Sequence, residues 1–276
     1  MKSKVDILLR IIIYVVLVTL AVIALFPFVW TFLTSLEERY ILYKYPPKID
    51  VSVYTLANYV ELMTETDFFV WLKNSLVVCT TITCFSVLFS TLAGYAFAKK
   101  KFPFKKVLFY VTISTLMVSP STRMVPLYLM FSRLNLIDTY AGLILPYLGS
   151  GLGVFIMTQF MKEIPDEMLD AAKIDGCSEL RIFWNIMLPL CKPAIATLTT
   201  FLFMLSWNEF IWALIVTSKS RMRVLPLGLA MLQGQYRTNW GMVMAGAITF
   251  FVPILVVYGV LQKQFVQGVV MSGLKE

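Results

Sequence analysis

Of the chain's 276 residues, 59% are apolar and only 14% charged, with a formal net charge of +8 and no histidine. A soluble domain carries about 25% charged and roughly 45–50% apolar residues, so this composition needs lipid as solvent. The basic excess then reads as the bilayer's positive-inside bias rather than a nucleic-acid footprint, and the missing histidine removes His-based catalysis, Ser-His-Asp and Cys-His sites and most zinc sites.

In chain order, Lys2, Lys4 and Arg10 precede an uncharged run over residues 11–36. That run exceeds the roughly 7–15-residue core of a signal peptide and ends in no small-residue cleavage site, so it reads as a retained first span, kinked at Pro27. Residues 37–71 form a mixed polar loop in which acidic residues dominate, Pro46-Pro47 marks a turn, and residues 55–63 fit a short helix. Residues 74–98 are a second uncharged run, rich in Ser and Thr hydroxyls that favour contact with protein. It closes on Lys99, Lys100, Lys101, Lys105 and Lys106, a topological anchor on the cytoplasmic side. A third span is expected over 107–129, interrupted by Pro120, Arg123 and Pro126. Residues 139–161 give a fourth. Its Gly149, Gly151 and Gly153 read as close helix packing, since no strand precedes them as a dinucleotide turn requires.

Residues 162–193 are the one long polar interruption in the second half of the chain. Pro165 suits a first helical turn, and Asp166 and Glu167 place negative charge at the positive end of a helix. Gly176 is a left-handed stop. A second helix is expected to carry Leu180, Phe183, Ile186, Met187 and Leu190 on one stripe and to end at Pro189. On periodicity alone the pair reads either as a docking element or as an interfacial helix pair lying on the membrane. A fifth span over 194–217 carries Glu209, and a sixth covers 240–262. Fourteen of the 24 Lys and Arg residues fall in segments that are inside if both termini are cytoplasmic. Lys219, Arg221, Arg223 and Arg237, on an outer loop, run against that bias. Cys79, Cys84, Cys177 and Cys191 show no CxxC spacing and read as free thiols. No phosphate-cradling G-x-x-x-x-G-K-[ST] loop occurs, so the chain offers no nucleotide site of that kind.

The pattern DAAKIDG over 170–176, with Phe183, Ile186, Leu188-Pro189 and Pro193, resembles the EAA loop of ABC-importer permeases, with Asp170 where that motif has Glu. VPLYLMF (125–131), SWNEFIWAL (206–214), LPLGLAMLQGQY (225–236) and the tail QKQFVQGVVMSGLK (262–275) resemble the maltose-system type of permease subunit, the carbohydrate-uptake branch. The resemblance implies an all-α polytopic membrane protein of six transmembrane helices in a bacterial or archaeal cytoplasmic membrane. It implies a cytoplasmic coupling-helix loop between helices 4 and 5. Residues 1–70 would hold the first span and its outer loop, and 71–276 the permease domain. The implied partners are a second permease subunit, two cytoplasmic ATPase subunits and an extracytoplasmic solute-binding protein. ATP and magnesium would sit on the ATPase, this chain being non-catalytic and holding no cofactor or metal.

The residues implied to carry coupling are Glu167, Asp170, Ala171, Ala172, Asp175, Gly176, Phe183, Leu188 and Pro189, with Ala171-Ala172 as the slim fitting face. Tyr128, Trp207, Asn208 and Glu209 are candidates for a substrate path. Arg123 and Glu209 would lie about 24 Å up their spans at 1.5 Å per residue, and are read either as an intramembrane pair or as side chains reaching the outer headgroups. The competing functions are import of a non-sugar solute such as a glycerophosphate or an amino acid derivative, and a self-sufficient secondary carrier, which should show repeats and mid-membrane ionisable residues.

Overall fold

The computed structural model describes residues 4–37, 54–234 and 238–273. The Pro46-Pro47 turn, Arg237, Lys2 and Lys275 lie outside them. The described residues are mostly helical. In order they form α1 (Lys4–Leu36), α2 (Ala57–Glu65), α3 (Phe68–Lys99), α4 (Lys105–Ser114), α5 (Pro120–Arg133), α6 (Tyr140–Ile144) and α7 (Gly151–Lys162). These are followed by α8 (Asp166–Ile174), α9 (Glu179–Ile182), α10 (Leu188–Leu190), α11 (Lys192–Trp207), α12 (Ile211–Val216), α13 (Leu225–Ala230) and α14 (Trp240–Gly273). Contacts divide the chain into two compact units, Met1–Phe68 with Leu229–Val252 and Phe69–Gly228 with Pro253–Glu276.

Among the described residues, three helices are long and apolar enough to cross a membrane, Leu8–Leu36, Phe68–Lys99 and Trp240–Gln262. Two further helix pairs are long and apolar enough only when taken together, each bent at a short break: Tyr140–Tyr147 with Gly151–Lys162, at 42°, and Glu179–Leu190 with Lys192–Trp207, at 76°. The expected third span over 107–129 is not a single helix. α4 runs into a 3-10 turn at Thr115–Met117, and the chain is extended at Val118 and Ser119 before Pro120 starts α5. The residue before a proline is pushed out of the helical region and the proline lacks an N–H, so the break sits where the sequence carries Ser119-Pro120. The fourth span, expected to be unbroken, also opens, after Tyr147. The fifth ends its first helix at Trp207 and resumes at Ile211.

In the first unit the C-terminal end of α1 is tied to α2. Asn58 is buried, and its amide donates to the carbonyls of Ser35 and Glu37, both at 2.9 Å. Ser35 Oγ and Tyr59 Oη share a 2.7 Å hydrogen bond. Asn239 reaches back to Glu61 at 2.9 Å. The apolar window of α1 has no buried residue. A helix apolar on every side and uncovered by its own chain has lipid or another subunit as its environment.

In the second unit α3 is the central element, and it serves two cores. Val78 and Ile82 join Phe131, Leu143, Trp212, Val216 and Leu227 at one end, and Tyr95 joins Met157, Met161, Phe183, Met187 and Leu198 at the other. The hydroxyl-rich face of α3 does turn inward. Ser86 Oγ donates to the carbonyls of Tyr147 (2.7 Å) and Leu148 (3.0 Å), and so satisfies main chain freed where the fourth span opens. Such breaks are tolerated at membrane depth only where other protein groups or water take the released carbonyls. Glycines let the helices close up. A Cβ on Gly94 would lie 2.6 Å from Met157 Cβ and 3.0 Å from its main chain, and one on Gly151 would lie 2.7 Å from Thr115 Oγ1. The expected packing role holds for Gly151 and Gly153, whereas a Cβ on Gly149 would meet nothing within 4 Å.

Candidate functional site

The polar stretch 162–193 folds as a short helix, a turn and a second, distorted helix. α8 begins after Pro165 with Asp166 and Glu167 in its first turn. It ends in a Schellman arrangement: the N–H of Gly176 donates to Lys173 O and that of Cys177 to Ala172 O, both at 3.0 Å. Gly176 takes φ +76°, which a side chain would resist. Ser178 then caps α9, accepting from the Arg181 N–H at 3.4 Å.

The faces of α8 differ from the expected ones. Leu169 and Ala172 are buried in the core of this same chain, with Ile182 and Phe183. Ala172 therefore cannot serve with Ala171 as an outward fitting face; its small side chain lets α8 lie close to its own unit. At 100° per residue the opposite ridge carries Glu167, Asp170, Ala171 and Ile174. All four are exposed, Ile174 at 87%. Asp170 pairs with Lys173 one turn on, at 2.9 Å.

The second helix also departs from the expected stripe. Ile182, Phe183 and Met187 are buried, while Leu180 and Leu190 are exposed. Phe183–Met187 is a π turn, and helix continues through Pro189 to Leu190 before the bend. Proline at 189 has no N–H for the Asn185 carbonyl and its ring pushes that carbonyl away, and a wider turn absorbs the conflict. The extra residue in the turn rotates the buried row off a 3.6-residue register. Leu188 is half-buried and Pro189 exposed.

Two lysines at the end of α3 hold this stretch. Lys99 Nζ donates to the Ile164 carbonyl and to Asp166 Oδ1, the latter at 2.6 Å. Lys100 Nζ binds Glu179, whose same oxygen accepts from Tyr95 Oη at 3.1 Å. Lys99 holds the Asp166 carboxyl below the usual carboxylate range, and Lys100 does the same for Glu179. Burial lowers the Lys100 ammonium, but hydrogen bonds to Glu179 and Tyr95 outweigh it and the net direction is upward. A carboxylate whose folded value is depressed adds stability above its unfolded pKa and loses it as pH falls through the folded one. The thermal midpoint of the purified protein is therefore expected to fall as pH drops from 7 to below the usual carboxylate range. Asp166→Asn should remove part of that slope. An unchanged slope would exclude the Lys99–Asp166 pair as a source of it.

A second feature lies where the three interrupted segments meet. A cavity of about 340 Å³ is lined from α3 by Ile82, from the first break by Val118 and from the first turn of α5 by Arg123. Tyr147, Gly149 and Ser150 line it from the second break, and Ser206 and Glu209 from the third. Arg123 and Glu209 thus face one cavity, though no ion pair within 4 Å joins them among the described residues. The Tyr147 hydroxyl lies within electrostatic range of both. One Glu209 oxygen is occupied, accepting from the Trp212 N–H at 2.9 Å at the start of α12.

The other candidates for a substrate path lie elsewhere. Trp207 is 1% exposed and stacked on Phe203, with centroids 5.7 Å apart, so its ring faces protein. Tyr128 packs on the Phe131–Trp212 cluster. Asn208 is exposed and turns its amide back to Met204 O at 2.7 Å. Tyr147 and the 149–150 break were not foreseen as cavity lining. The Gly-Ser-Gly run was a visible sign of a break, but it was equally compatible with packing.

Residues 86–270 match the family described as binding-protein-dependent transport system inner membrane component. The arabinooligosaccharides transport system permease protein AraQ of Bacillus subtilis (strain 168) is 34% identical over 259 residues, covering 93% of this chain and 92% of that protein. The sn-glycerol-3-phosphate transport system permease protein UgpE of Yersinia pestis bv. Antiqua (strain Antiqua) is 36% identical over 210 residues, 75% of each chain. A chain from the crystal structure of a bacterial ABC transporter involved in the import of the acidic polysaccharide alginate superposes with a TM-score of 0.82 at 22% identity. It covers 96% of this chain and 99% of that one.

Proposed function

This chain belongs to the binding-protein-dependent transport system inner membrane components, and from that premise we propose that it is one permease of an ATP-driven importer of sugars or oligosaccharides. The observation that carries the coupling role is α8. One of its faces is fixed in the chain's own core, and the other presents an exposed ridge of two carboxylates, an alanine and an isoleucine. Such a ridge suits a cleft on a cytoplasmic ATPase. ATP-driven closure of an ATPase dimer would move α8 and shift the spans between inward- and outward-open states, each ligand acting through its differential affinity for the two. A second permease would complete the pore, a solute-binding protein would deliver the cargo, and both termini would be cytoplasmic. ATP and magnesium would be held by the ATPase, leaving this chain non-catalytic.

The test is reconstitution with the partner subunits in vesicles, following ATP-dependent uptake of an arabinose oligosaccharide. sn-Glycerol 3-phosphate serves as the competing arm. Arg123 on the cavity favours the phosphorylated solute and Glu209 disfavours it, so the two arms separate the sugar reading from the glycerophosphate one. Uptake that proceeds without any ATPase would overturn the importer and favour a secondary carrier.

Arg123→Gln and Glu209→Gln are each expected to slow uptake about tenfold, roughly 1.4 kcal/mol. Glutamine at 209 retains an oxygen for the Trp212 N–H, so the local fold should persist. Because no close pair joins the two residues, the double variant should show additive loss. A double variant no slower than either single one would show that they act as a pair.

A further inference from the structure

The five-lysine block after α3 is more than a topological anchor. Two of its members are aimed at the polar stretch, at opposite ends of α8. Lys99 is a long cationic side chain only 4% exposed. It donates to Asp166 and to the Ile164 carbonyl, at the entry to α8. The neighbouring Lys100 reaches Glu179, just past the Gly176 turn at the exit, and lies 4.9 Å over the Tyr95 ring. Tyr95 is itself on α3. It binds Glu179 with its hydroxyl and packs its ring 5.2 Å from Phe183. Holding a lysine stem so fully buried costs side-chain entropy and desolvation, which two charge-assisted or carbonyl partners offset. The loop is thus pinned to the last turn of α3 at both ends, while its outward ridge stays clear.

We infer that Lys99 and Lys100 are positioning residues that fasten the entry of α8 and the start of α9, on either side of the Gly176 turn, to the end of α3, so that a push on α8 moves α3 as one body with it. The inference rests on the reading of α8 as the ATPase contact. α3 runs for 32 residues and carries both cores of its unit. A displacement at the lysine end is therefore delivered to Ser86 and Ile82, beside the cavity and the opened fourth span. Without the two pins α8 would be joined to the spans only through its own ends and the apolar contacts of Leu169 and Ala172, and part of the movement would be lost in the turn at Gly176.

The test uses the full chain assembled with its ATPase, with Cys84 and Cys177 replaced by serine. Spin labels are placed at the exposed positions 101 and 168, and their separation is measured without nucleotide and with ATP, magnesium and vanadate. The expected result is one narrow distribution that stays the same in both states. Lys99→Met and Lys100→Glu should each broaden it and make it respond to nucleotide. Adding Glu179→Lys to Lys100→Glu should narrow it again, a rescue that a merely structural lysine would not give. A wild-type separation that shifts by more than about one residue's rise, 1.5 Å, overturns the latch, as does a charge swap no narrower than Lys100→Glu alone. Should Lys99→Met fail to assemble, the exposed Lys100–Glu179 pair still decides. Co-purified ATPase is the separate readout: its absence from the wild-type preparation overturns the reading of α8 itself, and its presence with unlatched behaviour overturns the latch alone.

Discussion

Ile174→Arg is expected to leave the chain folded and inserted while retention of the ATPase falls at least tenfold and ATP-driven uptake is lost. Ile174 is 87% exposed, so the chain's own packing does not depend on it. It lies on the α8 ridge opposite Leu169 and Ala172, at the C-terminal end of the row that begins with Glu167 and Asp170. Burying an isoleucine in a partner's cleft contributes about 1.5–3 kcal/mol. An arginine there forfeits that and adds a charge to desolvate. Ile174→Leu is the control and should behave as wild type. Ala172→Arg gives no test of docking. Ala172 is 6% exposed, and a guanidinium forced among Leu169, Ile182 and Phe183 should cost the fold first. Co-purification of the ATPase with folded Ile174→Arg at wild-type yield would remove α8 from the contact.

The largest stability loss outside the polar stretch is expected for Asn74→Leu. The Asn74 side chain is buried on α3, where it donates to the carbonyls of Arg221 (2.9 Å) and Arg223 (2.8 Å) and accepts from Tyr140 Oη (2.6 Å). It thereby fixes the loop between α12 and α13 against α3, alongside the Trp71 Nε1 bond to Ser220 O at 3.2 Å. Leucine keeps the branched shape and leaves three polar groups without their partner. At about 1–2 kcal/mol each, the cost is about 3–6 kcal/mol. Against a typical total of 5–15 kcal/mol, that should lower the thermal midpoint markedly and reduce the yield of folded protein several-fold. Tyr140→Phe removes one bond and should cost about 1 kcal/mol. An Asn74→Leu midpoint equal to that of Tyr140→Phe would show that water replaces the loop contacts.

Asn74 also holds the loop that ran against the charge count. Lys219, Arg221 and Arg223 looked misplaced on an outer loop. What the fold uses there is main chain: Asn74 takes the carbonyls of 221 and 223, and Asp138 accepts from the N–H groups of Ser218 (2.7 Å) and Lys219 (2.9 Å). Positive-inside counting reads side-chain charge and carries no information about these main-chain contacts.

Local chemistry made much of the architecture readable. Runs of uncharged residues long enough for the bilayer announce helices wherever nothing interrupts them, as over 11–36, 74–98 and 240–262. Pro165, the paired acids and Gly176 placed α8 and its stop, because capping and left-handed φ are decided within a turn. The sequence by itself therefore determined the membrane class, the three unbroken helices, the position of the polar stretch and its break. Tertiary structure alone decided the rest. Which side of α8 is buried, and so which of Ala171 and Ala172 is free, depends on where Ile182 and Phe183 come to lie, at the end of α9 and the start of the π turn. Whether the fourth span opens depends on Ser86, more than sixty residues earlier, taking the released carbonyls. That Arg123 and Glu209 share a cavity depends on three breaks meeting. The lysine block reads as solvated charge until the fold brings Asp166 and Glu179 within reach of Lys99 and Lys100. These are contacts between residues far apart in sequence, and periodicity within one segment carries no information about them.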